Sequence, residues 1–320
     1  MMLRSVLASG LHGSAETART ARTRVPLWRR IELPTWIVVL VAYAGWLSVT
    51  WYYHRLPVWV VLPLAAGIIT LHGSLQHEAI HGHPTRKQAL NAWIVGLPLS
   101  LWLPYSIYRE SHLAHHRAGR LTDPLEDPES YYVTPAMWRS MGPVRRAIRR
   151  AQATLVGRVL LGPPVVIARF FRSEWGLLRG GDRRQAVRWL QHLIACAPVL
   201  GWVLLVCRIP LWAYLVVFVY SGLSLTLVRS FTEHRPAASQ GERTAVVETG
   251  LLMSLLFLNN NLHAVHHEAP GLPWYKLPER YRRDREAVLS RNGRFLFGGY
   301  GEILRRYAFK AKDLPVHPDA

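Results

Sequence analysis

Histidine supplies the clearest chemical pattern in this chain of 320 residues: 15 are present, and eight of them fall into three clusters. The first reads His77-Glu-Ala-Ile-His81, the second His112-Leu-Ala-His115-His116, and the third His263-Ala-Val-His266-His267. A helix turns by about 100° per residue, so His77 and His81 face the same way on one helical stripe. In each HxxHH cluster the first and second histidines lie three apart, and the third is displaced from the second by about 100°. Each such cluster therefore offers ligands in two neighbouring directions, which suits two nearby metals. His234, in the stretch RSFTEHRP, follows the last long apolar run and raises the count to nine. An all-imidazole donor set without thiolates suits a first-row transition metal.

Two competing uses of the same residues make weaker predictions. His77-Glu78-Ala79-Ile80-His81 matches the HExxH pattern of zinc proteases, with Glu78 as base, but that reading leaves the two HxxHH clusters and His234 without a role. A non-enzymatic metal transporter or sensor would place ionisable residues along its spans, and the spans here are mostly apolar. The two cysteines, Cys196 and Cys207, form no CxxC and read as helix-packing residues, which removes cysteine-ligated iron–sulfur carriers from this chain.

The elements that must hold these histidines are hydrophobic helices. Half of the residues are AVILMFWYC, only 18% are charged, and 13 Trp and 13 Tyr are present. This balance excludes a solvated globule and simple disorder. Leu33–Tyr53 is 21 uncharged residues long, enough to cross about 30 Å of hydrocarbon. It is followed by Leu56–Gln76, with Pro57 at its start and Pro63 bending its first half. Leu190–Cys207 and Leu211–Val228 form a second hairpin around Arg208, Ile209 and Pro210. Ala89–Tyr108 is also uncharged but broken by Pro98 and Pro104, so spanning, re-entrant and interfacial readings stay open. The segments 153–171 and 246–262 carry polar interruptions and read as surface-lying or bundle-buried helices.

The formal charge of +19 fits this layout. Residues 1–32, 77–189 and 229–320 hold 37 of the 39 Lys and Arg, and only Arg55 and Arg208 lie in the hairpin turns. By the positive-inside rule, both termini and the histidine clusters face the cytoplasm, with a bacterial inner membrane as the expected location. Juxtamembrane arginine then has a role at anionic headgroups, and nucleic acid is not expected as a partner. The expected fold is an all-α membrane protein of about four transmembrane helices in two hairpins, with interfacial helices and a histidine-rich cytoplasmic cap. The expected divisions are a basic segment 1–32, an integral-membrane domain 33–285 and a C-terminal tail 286–320.

The chain resembles the membrane-bound fatty acid desaturase/hydroxylase superfamily, whose members carry three histidine boxes. HEAIH is similar to its HxxxH element, SHLAHH to its HxxHH element, and NNNLHAVHHEAPGLPWYKLP to its terminal box, with His234 as the added ligand. The resemblance covers residues 33–285, and His234-Arg-Pro together with the tail of the third box also resembles carotenoid ketolase/hydroxylase relatives. It implies that His77, His81, His112, His115, His116, His234, His263, His266 and His267 bind two iron ions. It further implies O2-dependent desaturation of a lipid, with a fatty acyl chain favoured, or hydroxylation or ketolation of a lipid or carotenoid at the same centre.

A ligating imidazole needs a partner at its other nitrogen. Asn259, Asn261, Glu78, Glu110, Glu233, Glu268 and His83 are near enough in sequence to serve, while His72 reads as a polar residue within the bundle. The loop LTDPLEDPESYY, Leu121–Tyr132, is a specificity candidate or an acidic cover over the helix ends. No element resembling a fused cytochrome domain is present. Electrons are therefore expected from a separate ferredoxin, or from cytochrome b5 with its reductase.

Overall fold

A computed structural model describes residues 26–319; most of the basic N-terminal segment lies outside the described residues. A single turn, α1 (Leu27–Arg30), leads into the hairpin of α2 (Leu33–Trp51) and α3 (Val58–Ile80). The second hairpin is built from α9 (Arg183–Leu200), which runs on as a π-helical turn to Val206, and from a continuous rod of α10 (Leu211–Tyr214), a π-helical stretch and α11 (Ser221–Glu233). Among the described residues, four helices are thus long and apolar enough to cross a bilayer: Leu33–Trp51, Val58–Ile80, Arg183–Val206 and Leu211–Glu233. This is an all-α membrane protein.

The two hairpins pack as one bundle because small residues let them approach. A Cβ on Gly222 of α11 would stand 2.4 Å from Ile69 Cγ2 of α3, and the Thr70 hydroxyl donates to the Gly222 carbonyl at 3.0 Å. Away from the histidines, Trp46, Val61, Ala65, Val203, Ile209 and Phe218 form a closed apolar core. There the turns are joined by His54 Nε2 and the Cys207 carbonyl, 3.1 Å apart.

Of the three readings left open for residues 89–108, the structure adopts the re-entrant one. α4 (Gln88–Val95) is only eight residues, too short to span, and Pro98 and Pro104 bracket a non-helical stretch before α5 (Tyr105–Arg117) returns to the histidine side. Leu99 is fully buried in the same core as Trp46 and Phe218. Open backbone among apolar helices must be hydrogen-bonded by protein. Tyr214 Oη donates to the Leu99 carbonyl at 2.7 Å and itself accepts from Trp46 Nε1 at 2.9 Å, while His192 Nε2 lies 2.9 Å from the Leu101 carbonyl.

Between the hairpins, α6 (Pro135–Ser140) and α7 (Pro143–Gln152) lead into α8 (Leu155–Arg179), which packs against α11 through Gly162 and Leu227. The segment 246–262 forms only the short strand β1 (Val246–Val247) and α12 (Leu251–Leu256). A cap follows from α13 (His263–Glu268), α14 (Leu277–Arg291), β2 (Leu296–Phe297) and α15 (Tyr300–Tyr307), with β1 and β2 parallel in the register Val246↔Leu296. Residues 286–319, read from sequence as a tail, begin inside α14, and their last stretch runs back across the 121–133 loop through a parallel bridge between Val133 and Val316.

Candidate metal centre

All nine histidines singled out by spacing converge at the polar end of the bundle, on side chains from four places in the chain. His77 ends α3 and His81 caps it; α5 carries His112, His115 and His116; His234 follows α11 in extended conformation, held by an antiparallel bridge to Thr244; α13 carries the last three. They separate into two groups. His77, His81, His112, His116 and His266 form one, and His115, His234, His263 and His267 the other, with the potential ligand atoms within each group no more than 4.8 Å apart.

The division within each HxxHH cluster differs from the spacing argument. It is the first and third histidines that share a group, His112 with His116 and His263 with His267, while the middle one turns to the other group. Four residues amount to about 400° of turn, so i and i+4 differ by only about 40°, against about 60° in the opposite sense for i and i+3. The two clusters thus contribute in a crossed manner: α5 gives two rings to the first group and one to the second, and α13 the reverse.

Ring nitrogens in each group are unusually close. Nε2 of His112 lies 3.1 Å from Nε2 of both His81 and His116, and Nε2 of His116 lies 3.1 Å from that of His266. In the second group Nε2 of His263 is 3.1 Å from that of His234 and 3.2 Å from that of His267. In three of these rings, His112, His234 and His263, and in His115 beside them, the opposite ring nitrogen faces an acceptor. His115 Nδ1 donates to Asp127 Oδ1 at 2.8 Å, His112 Nδ1 to Glu129 Oε1 at 3.1 Å, and His263 Nδ1 to Asn260 Oδ1 at 3.0 Å, with Glu233 Oε1 at 3.5 Å. His234 Nδ1 faces the Arg243 carbonyl at 3.3 Å. With the proton on Nδ1, the Nε2 of these rings presents a lone pair, and the two that face each other at 3.1 Å, on His234 and His263, repel unless a cation lies between them. Two imidazoles bound at right angles to one ion at about 2.1 Å would have their nitrogens about 3 Å apart.

The electrostatics favour neutral rings. Burial, followed by the neighbouring imidazoles, pulls His81 down to about 3 and His116 to about 2, and holds His263, His266 and His267 well below the ordinary histidine range. His115 is the exception: burial opposes its charge, but the hydrogen bond to Asp127 and the carboxylates of Glu129 and Glu233 outweigh it and raise its pKa. Neutral imidazole is the form that ligates metal.

The residues expected from sequence to support the rings are mostly employed elsewhere. Glu78 accepts the Trp274 backbone N–H at 3.1 Å. Asn259 donates to the Trp274 carbonyl and Asn261 to the Val247 carbonyl. Glu268 forms a two-pronged pair with Arg291, Glu110 pairs with Arg188, and His83 donates to the buried Glu32 at 2.8 Å. Only Glu233 approaches a ring nitrogen, and it is also held by Arg229 at 2.8 Å.

The supports that spacing missed are Asp127, Glu129, Asn260 and the Arg243 carbonyl. Two of them come from the 121–132 loop, read from sequence as a specificity candidate or an acidic cover over the helix ends, and their signal was its density of Asp-Pro turns close after the second cluster. Asp127 is fixed by the N–H groups of Thr122 and Glu129, both at 2.9 Å. Arginines grip the loop by its carbonyls: Arg243 on Leu121, Arg169 on Ser130 and Arg149 on Tyr131.

No curated protein is a match to the chain. A family model described as fatty acid desaturase matches residues 53–298, a range that takes in all nine histidines, both hairpins' turns and the loop carrying Asp127 and Glu129. With most of its length matched, the chain belongs to the fatty acid desaturase family.

Proposed function

We propose that this protein is an O2-dependent membrane desaturase that uses two iron ions and acts on a lipid, with a fatty acyl chain as the favoured substrate. The observation that carries the reading is the convergence of nine imidazoles into groups of five and four, with Nε2 atoms held 3.1–3.2 Å apart. The donor set fits two first-row metals: no thiolate is present, every ring with an assigned partner presents Nε2 inward, and the buried Nε2 of His77 has no hydrogen-bond partner at all. His77, His81, His112, His116 and His266 would hold one ion, and His115, His234, His263 and His267 the other.

Bound there, two irons supply the redox chemistry by which O2 removes hydrogen from an unactivated C–H bond. The chain's own residues do the rest. Asp127, Glu129 and Asn260 fix the rings of His115, His112 and His263 in the tautomer that leaves Nε2 free, and burial keeps bulk water from the centre. The apolar helices hold the lipid so that a chosen carbon reaches the histidine end. Loss of hydrogen from the adjacent carbon gives desaturation, whereas return of oxygen to the first gives hydroxylation or ketolation, so substrate register decides the product. Balance for desaturation requires two electrons and two protons beside the substrate's hydrogens, with two waters as products. The electrons come from a separate ferredoxin or cytochrome b5 with its reductase. The arginine excess on the histidine side supports placing that side in the cytoplasm.

The test is expression in a lipid-producing host with donor and reductase supplied, with total lipids compared by mass spectrometry against His266→Ala. Products lighter by two hydrogens, absent from the variant, are expected, together with two irons per chain by elemental analysis. Products heavier by an oxygen would assign hydroxylation or ketolation instead. Full product formation by the variant would overturn the reading.

A further inference from the structure

A second site lies beside the histidine groups, on the outward side of the carboxylates that support them. A cavity of about 80 Å³, open on one side, is lined by the 122–132 loop, the end of α7, the start of α8, the end of α11 with His234, and the returning C-terminal stretch 312–315. Its inner wall is acidic and its outer wall basic, and the two walls differ in how their charges are met. Asp127 and Glu129 accept from His115 and His112, Glu233 pairs with Arg229, and Asp313 accepts from Tyr132 at 2.8 Å and pairs with Lys312. Each carboxylate is thereby occupied.

The guanidiniums of Arg149 and Arg158 are not. Among the described residues neither forms an ion pair. Arg149 donates Nη1 to the Tyr131 carbonyl, and Arg158 donates Nε to the Gln152 carbonyl. Arg158 is only 9% exposed, lies 3.8 Å over the Tyr131 ring, and has a buried Nη1 with no hydrogen-bond partner. Stacking on the ring eases the charge but does not neutralise it, and an uncompensated buried cation costs several kcal/mol. Like charges add to that cost. Burial, and after it Arg169 and Arg158, pull Arg149 down to about 10.

We infer that this cavity binds a small oxyanion, a phosphate or a carboxylate, held by Arg149 and Arg158. A guanidinium fork matches the two oxygens of such a group, and arginine rather than lysine carries the unpaired charge on both helices. Tyr131 links the site to the metal-supporting loop: Arg158 stacks on its ring, Arg149 holds its carbonyl, and its hydroxyl meets Ser230 at 3.0 Å. An anion between the arginines therefore tightens the segment that carries Asp127 and Glu129. The same chemistry is offered by a lipid headgroup and by free phosphate, and the site stands independently of which lipid is oxidised.

Titration calorimetry of the iron-loaded protein in detergent with inorganic phosphate, against chloride at matched ionic strength, tests the site. A saturable phosphate signal is expected, weakened roughly tenfold or more by Arg149→Gln and by Arg158→Gln. Arg149 is the less buried of the two, so Arg149→Gln carries the comparison if Arg158→Gln does not fold. Absence of a saturable signal in the unaltered protein, or an unchanged signal in Arg149→Gln, overturns the proposal; phosphate bound to iron itself would give the second result. In nanodiscs, competition of phosphatidic acid with phosphate, compared with phosphatidylcholine alone, identifies a lipid headgroup as occupant. Undiminished phosphate binding there identifies the free anion.

Discussion

Sequence spacing locates the histidines but not the groups that orient them, and the reason is the pitch of a helix. Glu78 follows His77 and Glu268 follows His267, so each leaves its helix about 100° away from the ring it was expected to support. Glu78 instead meets Trp274 and Glu268 meets Arg291. Asp127 reaches His115 from twelve residues away because a loop of Asp-Pro turns folds back over α5, and its carboxylate is already fixed by two backbone N–H groups. A preset acceptor of this kind holds both tautomer and ring angle. Replacing Asp127 by Asn keeps the shape but removes the charge and exchanges one acceptor oxygen for a donor. Loss of such a support typically costs about 10–100-fold in metal affinity. Asp127→Asn is accordingly expected to lose iron from the His115 group during dialysis against a weak chelator while keeping its helical circular dichroism. Full iron retention would separate Asp127 from the centre.

At the scale of elements, the four spans and their two hairpins are legible because uninterrupted apolar length is a local property, written in Leu33–Trp51 and its three counterparts. The segment 89–108 is not, since its two prolines permit three dispositions and only its neighbours choose among them. The choice rests on donors from other helices, Tyr214 and His192, meeting carbonyls that Pro98 and Pro104 leave outside a helix. The packing that brings α3 and α11 together is equally non-local, and it depends on Gly222. Gly222→Ala places a methyl in the space of Ile69 and is expected to destabilise the protein by about 1–3 kcal/mol through overpacking. Thermal unfolding in detergent measures the loss, and Ile69→Ala added to the same chain should restore part of it by opening that space. A double variant no more stable than Gly222→Ala would show that the contact is not what limits the approach of the helices. Because His77 ends α3 and His234 follows α11, the same separation should lower iron content.

For the molecule as a whole, charge distribution and chain return argue at different reaches. The placement of 37 of 39 basic residues on the histidine side follows from the sequence once the spans are drawn. It predicts that Arg55→Cys reacts with a membrane-impermeant thiol reagent on intact cells and Arg86→Cys only after lysis; the opposite pattern would invert the topology. The role of the C-terminal residues has no such local mark, because it arises from contacts that close the chain on itself. Lys312 Nζ donates to the His234 carbonyl at 3.0 Å, and Asp313 receives Tyr132. His317 Nε2 lies 3.1 Å from the Thr122 hydroxyl, while its backbone N–H and the Pro315 carbonyl both engage Val133 at 3.0 Å. These residues brace His234 directly and both ends of the loop bearing Asp127 and Glu129, so they reach two ligands of the four-histidine group, His234 and His115, and one of the five, His112. Ending the chain after Tyr307 is therefore expected to reduce iron from about two per chain toward one, with the spans intact, and Lys312→Met to do so in part. Equal loss from both groups would mean that the C-terminal stretch supports the fold in general, and retention of both irons would mean that the loop holds itself.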